Sequence, residues 1–114
     1  MKDERFSFST CSLTRSMAVI GTKWKPIIVY VLQDRKVRFG QIDAYIPLIT
    51  RKVLTEQLKE LEEDGIVKRE AFNETPPRVE YSLTPKGAAL LPILQTVMAW
   101  NDKYEPNIQL KAAK

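Results

Sequence analysis

The first third of the chain places apolar residues at helical spacing. Leu13, Met17 and Ile20 fall at i, i+4 and i+7, and Ser9 or Thr10 can cap a helix that carries them on one face. We therefore predict a first amphipathic helix in this segment.

A second helix is predicted to start at Thr22. Pro26 is compatible with it because proline is tolerated in a first helical turn. The helix has a nearly continuous apolar stripe, which predicts a core position: Trp24, Ile27, Ile28, Val31 and Leu32.

The middle of the chain predicts two short helices joined by a tight turn. The first runs over residues 39–46, after a minimal strand at 37–39, and stops before a proline. The second runs over residues 50–64, with Thr50 as its cap, leucines on one face and Gly65 at its end. This arrangement is typical of a helix-turn-helix.

Two β-runs follow the second helix of this motif. Residues 66–72 form the first run, and Val79, Tyr81 and Leu83 alternate with polar residues in the second, which predicts a half-buried strand. The tip at 73–77 contains two prolines that stiffen it. The predicted fold is mainly α with a small β-hairpin, a winged helix-turn-helix.

A last helix is predicted to open at Thr84, with Pro85 in its first turn and a kink at Pro92. Its apolar arc covers about half of the helix circumference, which is more than a small domain needs to bury. We expect a second copy of the chain to cover this arc, although the first helix could cover it within one chain. The expected dimer interface consists of Leu13, Met17, Leu90, Leu94, Val97, Met98, Trp100 and Tyr104.

The 114 residues, 44% hydrophobic and 28% charged, indicate one globular domain. We expect a flexible arm at 1–8, the winged domain with terminal dimerisation helices at 9–107, and a tail at 108–114. Without a signal-peptide pattern or an apolar run of membrane length, the expected location is the cytoplasm, with no membrane partner. The chain has no histidine and no Gly-rich phosphate loop. We therefore expect neither an enzyme, nor a metal site, nor a cofactor.

The net charge of +4 favours a polyanionic partner. The helix at 50–64 exposes cationic residues and threonine in its first turns, where a recognition helix reaches bases in the major groove. Further cations near the wing can contact the flanking backbone, although Arg38 could instead form a structural salt bridge. An ordinary solvated face is the alternative reading of the helix. The candidate DNA-binding residues are Arg38, Thr50, Arg51, Lys52, Thr55, Lys59, Lys68 and Arg78.

The single cysteine, Cys11, lies at the start of the first helix. Unpaired backbone N–H groups at that position favour the thiolate and lower the thiol pKa, and Lys2, Arg5 and Arg15 are near in sequence. An activated thiol can react with an oxidant or a small electrophile. The alternative is a buried cysteine that acts as a small apolar residue.

The chain resembles the HxlR-type winged helix-turn-helix transcriptional regulators, also called the DUF24 group and related to MarR regulators. The resemblance covers roughly residues 11–100. It is carried by these positions: Cys11, 20–24, 38–39, 49–55, 58–67, Arg69, 76–84, Gly87 and Trp100.

This resemblance implies a homodimer that binds a palindromic operator in double-stranded DNA, with a recognition helix at 50–64 and a wing at 73–78. Several relatives sense quinones, aldehydes or oxidants through a cysteine near the N-terminus, the place that Cys11 occupies. Relatives often have Gly or Ser where this chain has Leu48 and Thr50, so base preference is not carried over. A protein-interaction module without DNA binding is the competing hypothesis, because the C-terminal half of the 50–64 helix is acidic.

Overall fold

A computed structural model describes residues 7–105 of the chain. The predicted tail at 108–114, most of the predicted arm at 1–8, and with it Lys2 and Arg5, lie outside these residues. The elements in chain order are α1 (Ser12–Ile20), α2 (Lys25–Leu32), β1 (Val37–Arg38), α3 (Phe39–Tyr45), α4 (Arg51–Glu63), β2 (Val67–Phe72), β3 (Arg78–Leu83), α5 (Pro85–Ala88) and α6 (Leu90–Tyr104).

Helix α4 is bounded by the two residues that the sequence indicates. The Thr50 hydroxyl accepts a hydrogen bond of 3.1 Å from the Val53 N–H, which caps the first turn. At the other end, Gly65 adopts a φ of +73°, and the Ile66 N–H donates to the Leu61 carbonyl at 2.9 Å. This Schellman arrangement satisfies carbonyls of the last turn and turns the chain into β2.

The first two helices start later than predicted. Cys11, rather than Ser9 or Thr10, is the N-cap of α1, because the Cys11 N–H already bonds the Ser7 carbonyl in a preceding turn. Helix α2 starts at Lys25, and the Thr22 hydroxyl accepts the Lys25 N–H at 3.2 Å from just outside the helix.

The predicted last helix is two helices, α5 and α6. Pro92 has no N–H with which to bond the Ala88 carbonyl, and the helix is interrupted at Ala89, one turn before the predicted kink. Pro92 itself lies in the first turn of α6, where proline is tolerated. The predicted helix is therefore interrupted, but one turn earlier than the predicted kink at Pro92.

The three strands form an antiparallel sheet in the order β1-β3-β2. The two-residue strand β1 pairs Val37 with Tyr81, and the long hairpin pairs Val67 with Leu83 and Phe72 with Arg78. The minimal strand and the hairpin are both confirmed.

A single core lies between α2, α3, α4 and the sheet. Its fully buried residues come from these four elements and the loop before β2: Ile28, Val29, Leu32, Ile42, Leu54, Leu58, Leu61, Ile66 and Val67. The leucine face of α4 is thus fixed against the domain, which leaves its opposite face outward. Within residues 7–105, no helix has both the length and the apolar character needed to cross a bilayer.

Candidate nucleic-acid interface

The outward face of α4 carries two lysines that make no internal ion pair. Lys52 and Lys59 are both exposed, and neither has an acidic partner among residues 7–105. They are seven positions apart, close to two helical turns, so they lie on the same face, opposite the leucines. Glu56 and Glu63 are exposed on the same face, each four positions after one of the lysines. The two unpaired lysines, rather than a uniformly cationic face, are therefore the features that suit a polyanion.

The other candidate residues on α4 are partly engaged within the chain. Arg51 Nε lies 3.3 Å from Asp43 Oδ2, and its guanidinium carbon lies 5.7 Å from the centre of the Phe39 ring. The Thr55 hydroxyl donates to the Arg51 carbonyl at 2.8 Å, while the Thr50 hydroxyl caps the helix. The hydroxyl groups of Thr50 and Thr55 are therefore bonded to the α4 backbone, and the Arg51 side chain contacts α3.

The wing is anchored at its base by Arg78. One guanidinium nitrogen lies 3.2 Å from Glu74 Oε2, Nε lies 3.4 Å from Glu80 Oε2, and the guanidinium stacks 4.1 Å from the Phe72 ring centre. The Nε–Glu80 contact has ion-pair distance but not hydrogen-bond geometry, and only 26% of the side chain is exposed. These contacts join Arg78 to both sides of the wing, and its phosphate contact stays a prediction.

Arg38 lies beside the base of the wing. Its side chain is exposed and has no ion-pair partner within residues 7–105. It borders a cleft of about 320 Å³ whose other lining residues come from the start of α3 and from the wing: Phe39, Gly40, Pro77, Arg78 and Val79. Lys68, the remaining candidate, is exposed on β2 opposite Ser82.

Phe39 makes the recognition helix and the wing one continuous surface. Its ring lies under Arg51 at the start of α4, and the same residue lines the cleft with Pro77 at the wing base. The cationic start of α4, Arg38 and the wing therefore lie side by side. This is the arrangement in which a groove-binding helix and a backbone-contacting wing act together.

Two polar contacts to α4 were not predicted from the sequence. The Lys25 ammonium lies 2.6 Å from Glu60 Oε1, and the Thr22 hydroxyl donates to Gln57 Oε1 at 2.8 Å. The only sequence signal was that Lys25 interrupts an otherwise apolar run. A lysine in such a run requires a partner once the run is buried. Glu60, part of the acidic half of α4, is thereby neutralised.

Cys11 combines partial exposure with a helix N-terminal position. The backbone N–H of Thr14 is the main influence that lowers the pKa of the Cys11 thiol. Partial burial opposes this effect, while the Leu13 N–H, the Thr14 hydroxyl and the Arg15 charge add to it. The net lowering of the pKa agrees with the sequence-based expectation. Within residues 7–105, no cluster of acidic and cysteine side chains could hold a metal ion.

An exposed apolar stripe follows one side of α6. Ile93, Val97, Trp100 and Tyr104 fall at i, i+4, i+7 and i+11, and Trp100 is 65% exposed. Ile93 belongs to the predicted apolar arc and is itself 54% exposed. On the α2 side of α6, an apolar groove of about 340 Å³ is lined by Pro26, Ile27, Tyr30, Val31, Leu94, Val97 and Met98.

The predicted interface residues divide into two groups. Leu13, Met17, Val97, Met98, Trp100 and Tyr104 are exposed in the single chain. Leu90 and Leu94 are instead partly buried against the core, and Leu90 also borders a small cavity with Val19 and Ile20 of α1. The first helix thus approaches the beginning of α6 but leaves the rest of the stripe uncovered.

The chain is similar over most of its length to known transcription regulators. The family model described as HxlR-like helix-turn-helix matches residues 19–109. The uncharacterized HTH-type transcriptional regulator YdeP of Bacillus subtilis is 43% identical over 108 residues, which is 94% of this chain and 84% of YdeP.

Two solved structures have the same fold. The redox regulator HypR in its oxidized form is 44% identical, with a TM-score of 0.78 over 88% of this chain and 100% of HypR. A MarR-family transcriptional regulator from Porphyromonas gingivalis W83 is 35% identical, with a TM-score of 0.80 over 91% of this chain and 97% of that protein. Winged-helix regulators are therefore the structural neighbours of this chain.

Proposed function

Since the chain belongs to the HxlR-like helix-turn-helix family of DNA-binding transcriptional regulators, we propose that it binds a palindromic operator as a homodimer. In this proposal the winged domain with its terminal helices spans residues 9–107. Helix α4 enters the major groove, and the wing contacts the flanking backbone.

The observation that carries this proposal is the continuous surface formed by α4, Phe39 and the wing base. On it, Lys52 and Lys59 have no ion-pair partner in the part of the chain that the structure describes, and they are assigned the main groove contacts. Arg38 and Lys68 are assigned to flanking phosphates, which need only a positive charge at the right height. Arg51, Thr50 and Thr55 reach DNA at the groove edge, while Arg78 keeps the wing in shape.

The homodimer is supported by the exposed stripe on α6. Large apolar residues in a row are unfavourable in water, and burying them against a second copy stabilises the pair by roughly 25 cal/mol per Å². A twofold dimer places two recognition helices about 34–36 Å apart, the spacing of successive major grooves on one side of B-DNA. Leu13 and Met17 of α1 complete the proposed interface.

A further part of the proposal is that Cys11 makes the regulator responsive to an oxidant or a small electrophile. The lowered thiol pKa and partial exposure of Cys11 support this role. The similarity to HypR, which is described as a redox regulator, supports it as well.

The test of DNA binding is the salt dependence of affinity for a duplex selected by the protein from a random pool. Each phosphate contact contributes about −0.9 to the slope of log K against log salt. Arg38→Ala and Lys68→Ala, which remove the assigned phosphate contacts, should therefore each reduce the slope by about one unit. Lys52→Ala and Lys59→Ala, which remove groove contacts, should weaken binding to the selected duplex more than to a random one. Lys36→Ala is the matched control, because it removes the same charge from a lysine paired with Glu70 at 3.1 Å.

The competing interaction-module hypothesis makes the opposite prediction. If the wild-type protein binds neither selected nor random duplex at low salt, DNA binding is excluded and the interaction module is favoured. If Lys36→Ala weakens binding to the selected duplex as much as Lys52→Ala does, the assignment of the α4 face is wrong.

A further inference from the structure

Lys25 has no role in the surface described above, yet it is the one charged side chain buried within residues 7–105. It occupies the first position of α2, where the positive end of the helix dipole disfavours a cation. Local sequence preference therefore does not account for a lysine here. Its ammonium lies 2.6 Å from Glu60 Oε1 on α4, and the Lys25 side chain is only 4% exposed.

A second contact reinforces the first from the same loop. The Thr22 hydroxyl accepts the Lys25 N–H and donates to Gln57 Oε1. Gln57 and Glu60 are three positions apart, so both lie on one flank of α4. The segment that leads into α2 thus holds α4 at two points, about one turn apart.

The opposite flank of α4 is held by the Arg51–Asp43 pair. Arg51 and Glu60 are nine positions apart, which at about 100° per residue places them on opposite sides of the helix. The leucine face is closely packed against the core, but the hydrophobic effect that holds it there is not directional. Polar contacts on both flanks are directional and define the rotation of the helix about its axis.

We propose that Lys25 is a positioning residue for DNA recognition: acting through Glu60, and together with the Thr22–Gln57 contact, it sets the axial rotation of α4. That rotation decides whether Lys52 and Lys59 meet the base edges together. The inference rests on the proposed DNA-binding function. It concerns selectivity between sequences, because non-selective binding requires charge but no particular rotation.

The sharpest test compares two variants that remove the same charge. Glu60→Gln keeps an oxygen that can accept from the Lys25 ammonium, whereas Glu60→Leu does not. The probes are a duplex selected by the wild type from a random pool and a scrambled duplex of the same composition. The measured quantity is the ratio of the two affinities at fixed salt, below the unfolding temperature of every variant.

Electrostatics and positioning predict different results for Glu60→Leu: the first leaves the affinity ratio unchanged, and the second lowers it. Loss of a carboxylate near DNA would by itself tighten binding to both duplexes. Loss of the positioning contact should lower the affinity ratio about tenfold, within the range known for directly contacting residue pairs. We expect Glu60→Gln to retain more of the ratio than Glu60→Leu, and Lys25→Met to lower it as Glu60→Leu does.

Controls separate positioning from loss of stability. Lys36→Met removes a lysine of the exposed Lys36–Glu70 pair and should leave the ratio unchanged. If Lys25→Met or Glu60→Leu does not fold, Gln57→Leu removes the exposed Thr22 contact and should lower the ratio in the same direction, by a smaller factor.

The outcomes for the inference and for the proposed function are distinct. An unchanged ratio in Glu60→Leu and Gln57→Leu, with selective wild-type binding that Lys52→Ala abolishes, overturns the inference alone. Absence of any wild-type DNA binding overturns both.

Discussion

Asp43 of α3 holds Arg51 of α4 across the turn of the helix-turn-helix, with Oδ2 lying 3.3 Å from Nε. The Arg51 side chain remains 73% exposed, so the pair contributes little to stability, about 0–1 kcal/mol. Besides holding this flank of α4, the pair has an electrostatic effect, because a carboxylate next to the proposed interface offsets one of its positive charges.

Asp43→Asn should therefore bind DNA more tightly than the wild type at low salt. The substitution removes a negative charge near the phosphates and leaves the Arg51 charge uncompensated. We expect a severalfold gain in affinity for a random duplex, measured by fluorescence anisotropy. Asp34→Asn, an exposed residue between α2 and β1, is the control for net charge. An equal gain in both variants would mean that Asp43 has no specific effect.

Arg78→Met should loosen the wing without removing a phosphate contact. Glu74 and Glu80 lose their common partner, and Phe72 loses the stacked guanidinium, at a cost of roughly 1–2 kcal/mol. Amide hydrogen exchange in β2 and β3 should accelerate, and Arg78→Lys should restore only part of the protection, because lysine lacks the planar group. A salt slope reduced by about one unit would instead make Arg78 a phosphate contact.

The two glycines at positions 40 and 87 should respond oppositely to alanine. A Cβ on Gly87 would collide with the backbone carbonyl of Ile66, so Gly87→Ala should destabilise the fold by about 1–3 kcal/mol. A Cβ on Gly40 meets no atom within 4 Å, so Gly40→Ala should stabilise α3 by about 0.5–1 kcal/mol. Thermal unfolding of the two variants measures both effects. A stabilised Gly87→Ala would contradict the packing described for α5.

Cys11 should react with iodoacetamide at a lower pH than a thiol of the unfolded chain. It is the only cysteine, so the alkylation rate reports on one group. Thr14→Pro removes the N–H that contributes most to the lowered pKa, and proline is tolerated in a first turn, as at Pro92. The pH at half-maximal rate should rise in Thr14→Pro and move less in Thr14→Ala.

The same shift links the Cys11 thiol to stability with a defined sign. A depressed folded-state pKa stabilises the fold above the unfolded pKa, and this contribution is lost as the pH falls through the folded value.

If sensing operates through this thiol, diamide should lower DNA affinity in the wild type but not in Cys11→Ser. Equal loss in both proteins would exclude Cys11 as the sensor.

The stripe on α6 should determine the oligomeric state. Val97→Asp places a charge in the middle of the exposed apolar row, and a buried unpaired charge is strongly unfavourable at an interface. Sedimentation should therefore show a shift from dimer to monomer. Tyr45→Asp, at an exposed aromatic residue of α3, is the control and should leave the dimer intact. A wild-type monomer at micromolar concentration would refute the proposed interface.

Features determined by neighbouring residues were predictable from the sequence. Thr50 and Gly65 bound α4 through contacts within a few residues, and the fold class follows from spacing. The Arg78–Glu80 contact also had a local signal, because residues two apart share one face of a strand. The position of the break in the last helix was less predictable, because the missing N–H of Pro92 leaves a carbonyl unbonded one turn earlier, at Ala88.

Contacts between distant segments were not predictable in the same way. Lys25 and Glu60 are brought together only by the packing of α2 against α4, and nothing in either helix specifies the pairing. The division of the α6 arc into a buried and an exposed part likewise depends on how α2 and α6 pack. Leu90 and Leu94 were assigned outward because a helical wheel shows apolar residues but not their neighbours.

The end of α4 and the start of α5 form one joint. The Thr84 hydroxyl donates to the Gly65 carbonyl, and the Lys86 ammonium donates to the Asp64 carbonyl at 2.8 Å. Helix α5 leads into α6, which carries the proposed dimer interface. In the proposed dimer, a tilt between the subunits would therefore be transmitted through this joint to α4 of each subunit. The distance between the two copies of α4 would then depend on the angle between the subunits.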